Sequence, residues 1–148
     1  MIRQIAIKTA FGWISAYENK GKIFQIKFGK IKITKNSQTL KKFKINLLKF
    51  FNKKASSIKV AHILSGNKLQ NKIWKELKSI KPGHTKSYGE IGKKYGISPR
   101  YVGKICGQNK LLLLVPCHRV IKSNGDLGGF SGLGGVSLKK KLLNFENN

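Results

Sequence analysis

Acidic side chains are scarce: five Asp and Glu stand against 31 Lys and Arg in 148 residues, a formal net charge of +26 at pH 7. An excess of one sign repels itself unless a polyanion is close, so nucleic acid is the leading partner. Drift in an AT-rich genome fits the same lysine richness, and charge alone decides little. Cysteine is nearly absent too, with only Cys106 and Cys117. Two thiols so near in sequence make no disulfide framework, and a reduced, cytoplasmic compartment is expected. Long apolar runs are missing: the aliphatic stretch from Leu111 to Val115 is far too short to span a bilayer, so no membrane partner is expected. The opening residues Met1 to Lys8 alternate like a strand and lack the apolar centre and cleavage site of a secretory signal. The N-terminal region has no clustered Cys and His, so neither a structural zinc nor any other metal is expected. Arginine is rare as well, at positions 3, 100 and 119 only, which makes Arg100 and Arg119 hard to dismiss as background in a lysine-rich chain.

What is present divides near Ser65-Gly66-Asn67. Residues 1–64 read as a β-rich scaffold domain: Ile5 and Ile7, then 13–17, a turn at Glu18-Asn19-Lys20-Gly21 with Asn and Gly tolerating positive φ, then 23–28. Phe43, Leu47, Leu48 and Phe51 share one face of a possible helix, whose role is scaffolding with a solvated basic face.

Residues 65–148 carry more signal. Leu69, Ile73, Trp74, Leu77 and Ile80 are spaced as a helix that stops at Pro82-Gly83. Ser87 with Glu90 makes a capping box, so a second helix starts near Tyr88 and ends at Gly96. Ser98 and Pro99 then cap and open a third, through Val102 and Ile105. Two short helices about a glycine turn make a helix-turn-helix. A glycine-rich stretch from Gly125 to Gly135 follows, then a last helix with Leu138, Leu142, Leu143 and Phe145.

Cys117 beside His118 is a candidate nucleophile and base, because an imidazole takes a thiol proton directly or through water and an acid stabilises the resulting cation. Glu146 is the candidate acid. Adjacent residues point apart, which favours a water between Cys117 and His118. Taken alone, a Cys-His pair is weak evidence, since most cysteines are buried hydrophobes.

The setting is what makes it specific. Pro116-Cys117-His118-Arg119-Val120-Ile121, with Thr85 to Ile91, Ser98 to Gly103, Asn109 and Leu142 to Glu146, resembles the O6-alkylguanine-DNA alkyltransferases over roughly residues 69–146. The resemblance implies an α+β fold: a small N-terminal β-rich, ribonuclease H-like domain followed by a helical C-terminal domain with a winged-helix-like helix-turn-helix. It implies direct-reversal DNA repair on duplex DNA containing O6-alkylguanine, by a monomer without cofactor. The alkyl group of O6-methylguanine passes irreversibly to Cys117, with O4-methylthymine left open as a second substrate. His118 is then the water-mediated base, oriented by Glu146. Asn109 ties the turn around the cysteine. Tyr88 crowds the target phosphate and donates to the purine, and Arg100 fills the gap left by base extrusion. Ser98, Tyr101, Gly103 and Arg119 join Arg100 and Tyr88 as DNA-contacting residues. Cys106, Val120, Ser131 and Lys139 belong to the base pocket. The helix-turn-helix of this family enters the minor groove, which implies weak sequence preference and strong salt dependence.

The chain also departs from the family pattern. Tyr101 stands where alanine is usual, so its ring either obstructs the groove or stacks on DNA. Leu69 replaces a common phenylalanine, Lys110 follows Asn109 in place of proline, and the stretch from Ser131 to Gly135 is longer than in many relatives. Alkyltransferase-like proteins that bind lesions without removing them carry tryptophan where this chain has Cys117. A helix-turn-helix regulator has no need of the segment from Pro116 to Val120, and a cysteine protease lacks any recognisable context here.

Overall fold

The computed structural model describes residues 1–130 and 135–148. Its Cα framework divides into two compact units, residues 1–65 with 110–114 and residues 66–109 with 115–148. Among the described residues no helix is long and apolar enough to cross a membrane. The α+β class expected from the sequence is observed, with a small antiparallel sheet and a set of helices.

In the first unit, β1 (Arg3–Thr9), β2 (Gly12–Asn19) and β3 (Lys22–Phe28) form an antiparallel sheet in sequential order. Alternation places Ile5 opposite Ala16, Ile7 opposite Ile14, and Ile14 and Ala16 opposite Phe28 and Ile26. All six are buried, so one face of the sheet is core. The β2–β3 turn differs by one residue from the expected one: Asn19 still pairs in β2, and the positive φ values fall on Lys20 (51°) and Gly21 (80°). Two consecutive left-handed residues match the twist of a tight hairpin, and lysine occupies the first of them here.

The helix α1 (Gln38–Phe51) starts at Ser37, whose side chain accepts from the Leu40 backbone N–H. Its buried face is Leu40, Phe43, Leu47 and Phe50. That corrects the face expected from periodicity, in which Leu48 and Phe51 replaced Leu40 and Phe50. Phe51 lies half-buried at the side, its ring centroid 4.9 Å from that of Phe11. The outer edge of β3 is covered by two segments from later in the chain. Ile23 exchanges backbone bonds with Ala61 and Ile63, and Ile26 with Lys110 and Leu112. The aliphatic run thus serves as an edge partner for β3.

In the second unit, α2 (Lys68–Lys78) is capped reciprocally by Asn67 and Gln70 and buries Ile73, Trp74 and Leu77. The Trp74 indole donates to the Ile105 carbonyl at 3.1 Å. After the short strand β4 (Lys86–Ser87), α3 (Tyr88–Tyr95) carries the expected Ser87–Glu90 capping box and ends at Gly96 with φ +70°. The helix α4 (Pro99–Gly107) begins at Ser98, whose side chain accepts from the Tyr101 N–H. These caps are the local chemistry that builds the two-helix unit. A glycine is required at position 92, since a Cβ there would lie 2.5 Å from the Ile97 carbonyl oxygen. After a single 3-10 turn at Cys117–Arg119, β5 (Val120–Ile121) pairs in parallel with β4, Lys86 facing Val120 and Ser87 facing Ile121. The last helix is α5 (Gly135–Asn147), with Leu138, Lys139, Leu142 and Leu143 buried.

Candidate active site

The cysteine is held by a tight backbone device. Pro116 has φ −80° and ψ 67°, the conformation of an inverse γ-turn, which the proline ring favours by fixing φ. The Cys117 N–H accordingly donates to the Val115 carbonyl at 2.8 Å. That same carbonyl accepts from Asn109 Nδ2 at 2.8 Å, so Asn109 braces the turn. Cys117 is 4% exposed. Burial pushes its thiol upward, opposed by the Asn109 side chain, by the Lys139 cation and by a backbone hydrogen bond of its own. The other thiol, Cys106 on α4, is raised to about 12, by burial first and then by the neighbouring Cys117, with Lys139 opposing. Both thiols are raised, so each keeps its proton until a base removes it.

Behind Cys117 lies a buried ionic group drawn from the 3-10 turn and α5. His118 Nε2 is 2.8 Å from Glu146 Oε2, and both side chains are 1% exposed. Burial and, secondarily, Arg119 and Lys139 lower the imidazole below its ordinary range, although Glu146 pulls it upward. For Glu146 burial alone raises the pKa, but hydrogen bonds from Arg119 and His118 outweigh it and hold the carboxyl at about 2. A neutral imidazole facing a carboxylate places its proton on Nε2. The free lone pair is then on Nδ1, which is buried and has no hydrogen-bond partner among the described residues. His118 is thus oriented as an acceptor, and Glu146 is set to stabilise the cation formed when it takes a proton.

Arg119 departs from its expected place among the DNA-contacting residues. It is 6% exposed, with Nε and Nη2 on the two Glu146 oxygens and Nη1 on the Ile80 carbonyl at 2.6 Å. A guanidinium so occupied and desolvated is not available to a phosphate. Its planar fork fixes the carboxylate that orients His118.

On the other side of the cysteine is a cavity of about 690 Å³, ample for a purine. Tyr88, Arg100, Gly103, Cys106 and Cys117 line it, together with Phe130 and Gly128, which sequence reasoning did not single out. The Tyr88 phenol is half-buried and raised to about 12, by burial and then by Cys106 and Cys117, so it stays protonated. Gly128 has φ +74°, and a Cβ there would sit 3.0 Å from the Tyr88 ring. The loop passes over the phenol because that side chain is missing.

Lys139 and Val120 were expected in the pocket wall, yet neither lines the cavity. Lys139 is fully buried on α5. Its ammonium donates to the Val120 carbonyl at 2.6 Å, to the carbonyls of Leu127 and Gly129, and to Tyr88 Oη at 3.2 Å. It is lowered to about 8, by burial first, against the raising effect of Cys117 and Cys106. Val120 is completely buried and contributes its carbonyl to this cation. Lys139 therefore ties the glycine loop and the phenol from behind the wall. Ser98 is occupied as a helix cap, Tyr101 and Arg100 are exposed on α4, and Ser131 lies outside the described residues.

Comparison with known proteins places the chain in a family. Residues 68–148 match the family described as 6-O-methylguanine DNA methyltransferase, DNA binding domain. The methylated-DNA–protein-cysteine methyltransferase of Metallosphaera sedula is 36% identical over 150 residues, covering 99% of this chain and 94% of that protein. That of Saccharomyces cerevisiae (strain YJM789) is 45% identical over 85 residues, 56% of this chain, and the match spans only 44% of the yeast protein. The crystal structure of the Mycobacterium tuberculosis O6-methylguanine methyltransferase superposes with a TM-score of 0.87 at 28% identity, covering 99% of this chain and 93% of that one. The OGT of the same organism, solved in complex with DNA, gives 0.86 at 29% identity, with coverage of 97% and 92%. By its sequence and its fold alike, the chain belongs to the 6-O-methylguanine DNA methyltransferase family.

Proposed function

We propose that this protein repairs duplex DNA by taking the alkyl group from O6-alkylguanine onto Cys117, once per molecule. The observation that carries the reading is the position of Cys117: it lines a purine-sized cavity, and the next residue in the chain belongs to a buried His118–Glu146 pair. Neither half of that arrangement suffices alone.

The damaged base is extruded from the duplex into the cavity, with Arg100 on α4 filling the gap it leaves. The Cys117 proton passes through one water to Nδ1 of His118, and the fixed Glu146 carboxylate stabilises the imidazolium. The thiolate attacks the alkyl carbon, forming the S–C bond as the C–O6 bond breaks and its electron pair stays on the purine. Tyr88, kept protonated, donates to the purine as that charge grows. The proton taken from the thiol ends on the guanine ring, so no co-reactant is consumed. The product thioether has no easy leaving group, which makes the reaction stoichiometric. Electrostatic attachment to the backbone through the many exposed lysines brings the protein to DNA with little regard for sequence.

Intact-protein mass spectrometry after mixing with a duplex carrying a single O6-methylguanine tests the proposal. The mass should rise by one methyl in place of one hydrogen and never by two, however large the excess of DNA. A folded protein that binds the duplex and keeps its original mass would overturn the transfer reading.

A further inference from the structure

The sequence left two roles for the ring at position 101, an obstruction to groove contact or a platform for a base. The second unit contains several aromatic residues, and nearly all are engaged. Trp74 is buried and bonded to Ile105, the Tyr88 hydroxyl meets Lys139, and the Tyr95 hydroxyl donates to Glu76 at 2.9 Å. Phe130 and Phe145 are half-buried. Tyr101 alone is exposed, at 42%, and its hydroxyl has no partner among the described residues. It is the third residue of α4, its N–H fixed by the Ser98 hydroxyl at 3.1 Å. The two residues before it, Pro99 and Arg100, line the cavity that Cys117 reaches.

What surrounds the ring decides between kinds of partner. A protein-docking patch needs contiguous apolar surface, but the exposed residues around Tyr101 include the polar Ser98 one turn before it, Arg100 next to it and Lys104 one turn on, with Pro99 the apolar one. One aromatic ring between two cations is the pattern of a nucleic-acid surface, where the cations take phosphates and the ring takes the face of a base. Drawing a purine into the cavity leaves its neighbours in the duplex without a stacking partner, at a cost of a few kcal/mol per step. A rigid aromatic face beside the cavity mouth suits that need, and a tyrosine loses little conformational freedom in supplying it.

We propose that Tyr101 stacks on a nucleobase exposed at the gap, acting with Arg100 as a two-residue filler of the opened duplex. The inference rests on the base-extrusion reading given under the proposed function. It assigns the ring a positioning role toward DNA and none in the displacement itself.

The test uses the full chain and a duplex in which 2-aminopurine, a base whose fluorescence is quenched by stacking, flanks the O6-methylguanine. Wild type, Tyr101→Ala, Tyr101→Phe and Tyr101→Trp are compared for duplex affinity, for 2-aminopurine emission in the complex, and for thermal melting as the check on folding. Tyr101→Ala should bind about tenfold more weakly and release bright emission, while Phe and Trp keep both affinity and quenching. Equal or tighter binding by a folded Tyr101→Ala protein with unchanged emission would overturn the proposal and assign the ring the obstructing role. Protein mass read from the same samples separates the two claims: a wild type that quenches the probe but gains no methyl group contradicts the transfer reading and leaves the stacking role standing.

Discussion

Arg119 and Glu146 face each other in a two-point ion pair, Nε on Oε1 at 2.9 Å and Nη2 on Oε2 at 2.7 Å. The third arm of the guanidinium holds the Ile80 carbonyl. Through this pair the segment after α2, the turn carrying Cys117 and the last turn of α5 are fastened at one point. The carboxylate at its centre is therefore charged and immobile where His118 needs it.

Arg119→Ala should destabilise the protein by about 3–5 kcal/mol, because it leaves a buried carboxylate without its main partner. Chemical denaturation measures this directly. Arg119→Lys restores a charge but not the fork, and should recover only part of the loss. Because the guanidinium is buried, the lysine variant should leave the salt dependence of DNA binding unchanged. A shallower salt slope would return Arg119 to the DNA surface.

Glu146→Gln should lower the plateau rate of transfer by about 10²- to 10⁴-fold, the usual range for disabling acid–base assistance. It should also shift the acid limb of the pH–rate profile. Glu146 pulls the His118 pKa upward, so removing the anion moves that limb to lower pH. A limb that moves upward contradicts the pairing. For stability the sign is that of a depressed carboxyl: the contribution of Glu146 is complete above the ordinary value of 4.5 and is lost as pH falls towards about 2. Melting temperature against pH should fall more steeply across that window for wild type than for Glu146→Gln.

Much of the site was legible in the chain because the signals are local. Ser87 with Glu90, Gly96, and Ser98 with Pro99 set the bounds of α3 and α4 through hydrogen bonds spanning a few residues. The fold brings Asn109 to the Val115 carbonyl just before Cys117 and sets His118 against Glu146. The failures involve partners distant in sequence. Nothing near Arg119 announces that Glu146, 27 positions later, will occupy it. Nothing in the aliphatic run shows that Ile26 will take its backbone bonds. Lys139 sits among lysines at 140 and 141, and only tertiary packing distinguishes the buried one. The buried face of α1 was misread by one position at Phe50 and Phe51, because adjacent aromatics satisfy the same periodicity.

Lys139→Met keeps the bulk of the side chain and removes the donor shared by Tyr88 and three carbonyls. Leaving buried acceptors unsatisfied costs about 1–3 kcal/mol each, so a clear drop in melting temperature is expected. Transfer should slow as the loop over Tyr88 loosens. Unaltered melting and transfer would show that the ammonium holds nothing in place.

Gly128→Ala is the smallest change that presses on the phenol. The new methyl meets the Tyr88 ring at 3.0 Å in a backbone with φ +74°, so strain of about 1 kcal/mol or more is expected. Transfer from duplex DNA should slow, whereas Gly125→Ala, with φ also positive at +93° but open space around its Cβ, should show the stability cost alone. Equal transfer rates in the two variants would contradict a role for the loop in placing Tyr88.

The central claim is that one particular sulfur receives the alkyl group. After exposure to duplex O6-methylguanine, the protein is digested and the methylated peptide sequenced by mass spectrometry. The account predicts S-methylcysteine at Cys117 alone, with Cys106 unmodified although it lines the same cavity. Methylation found at Cys106 and absent from Cys117 would contradict it.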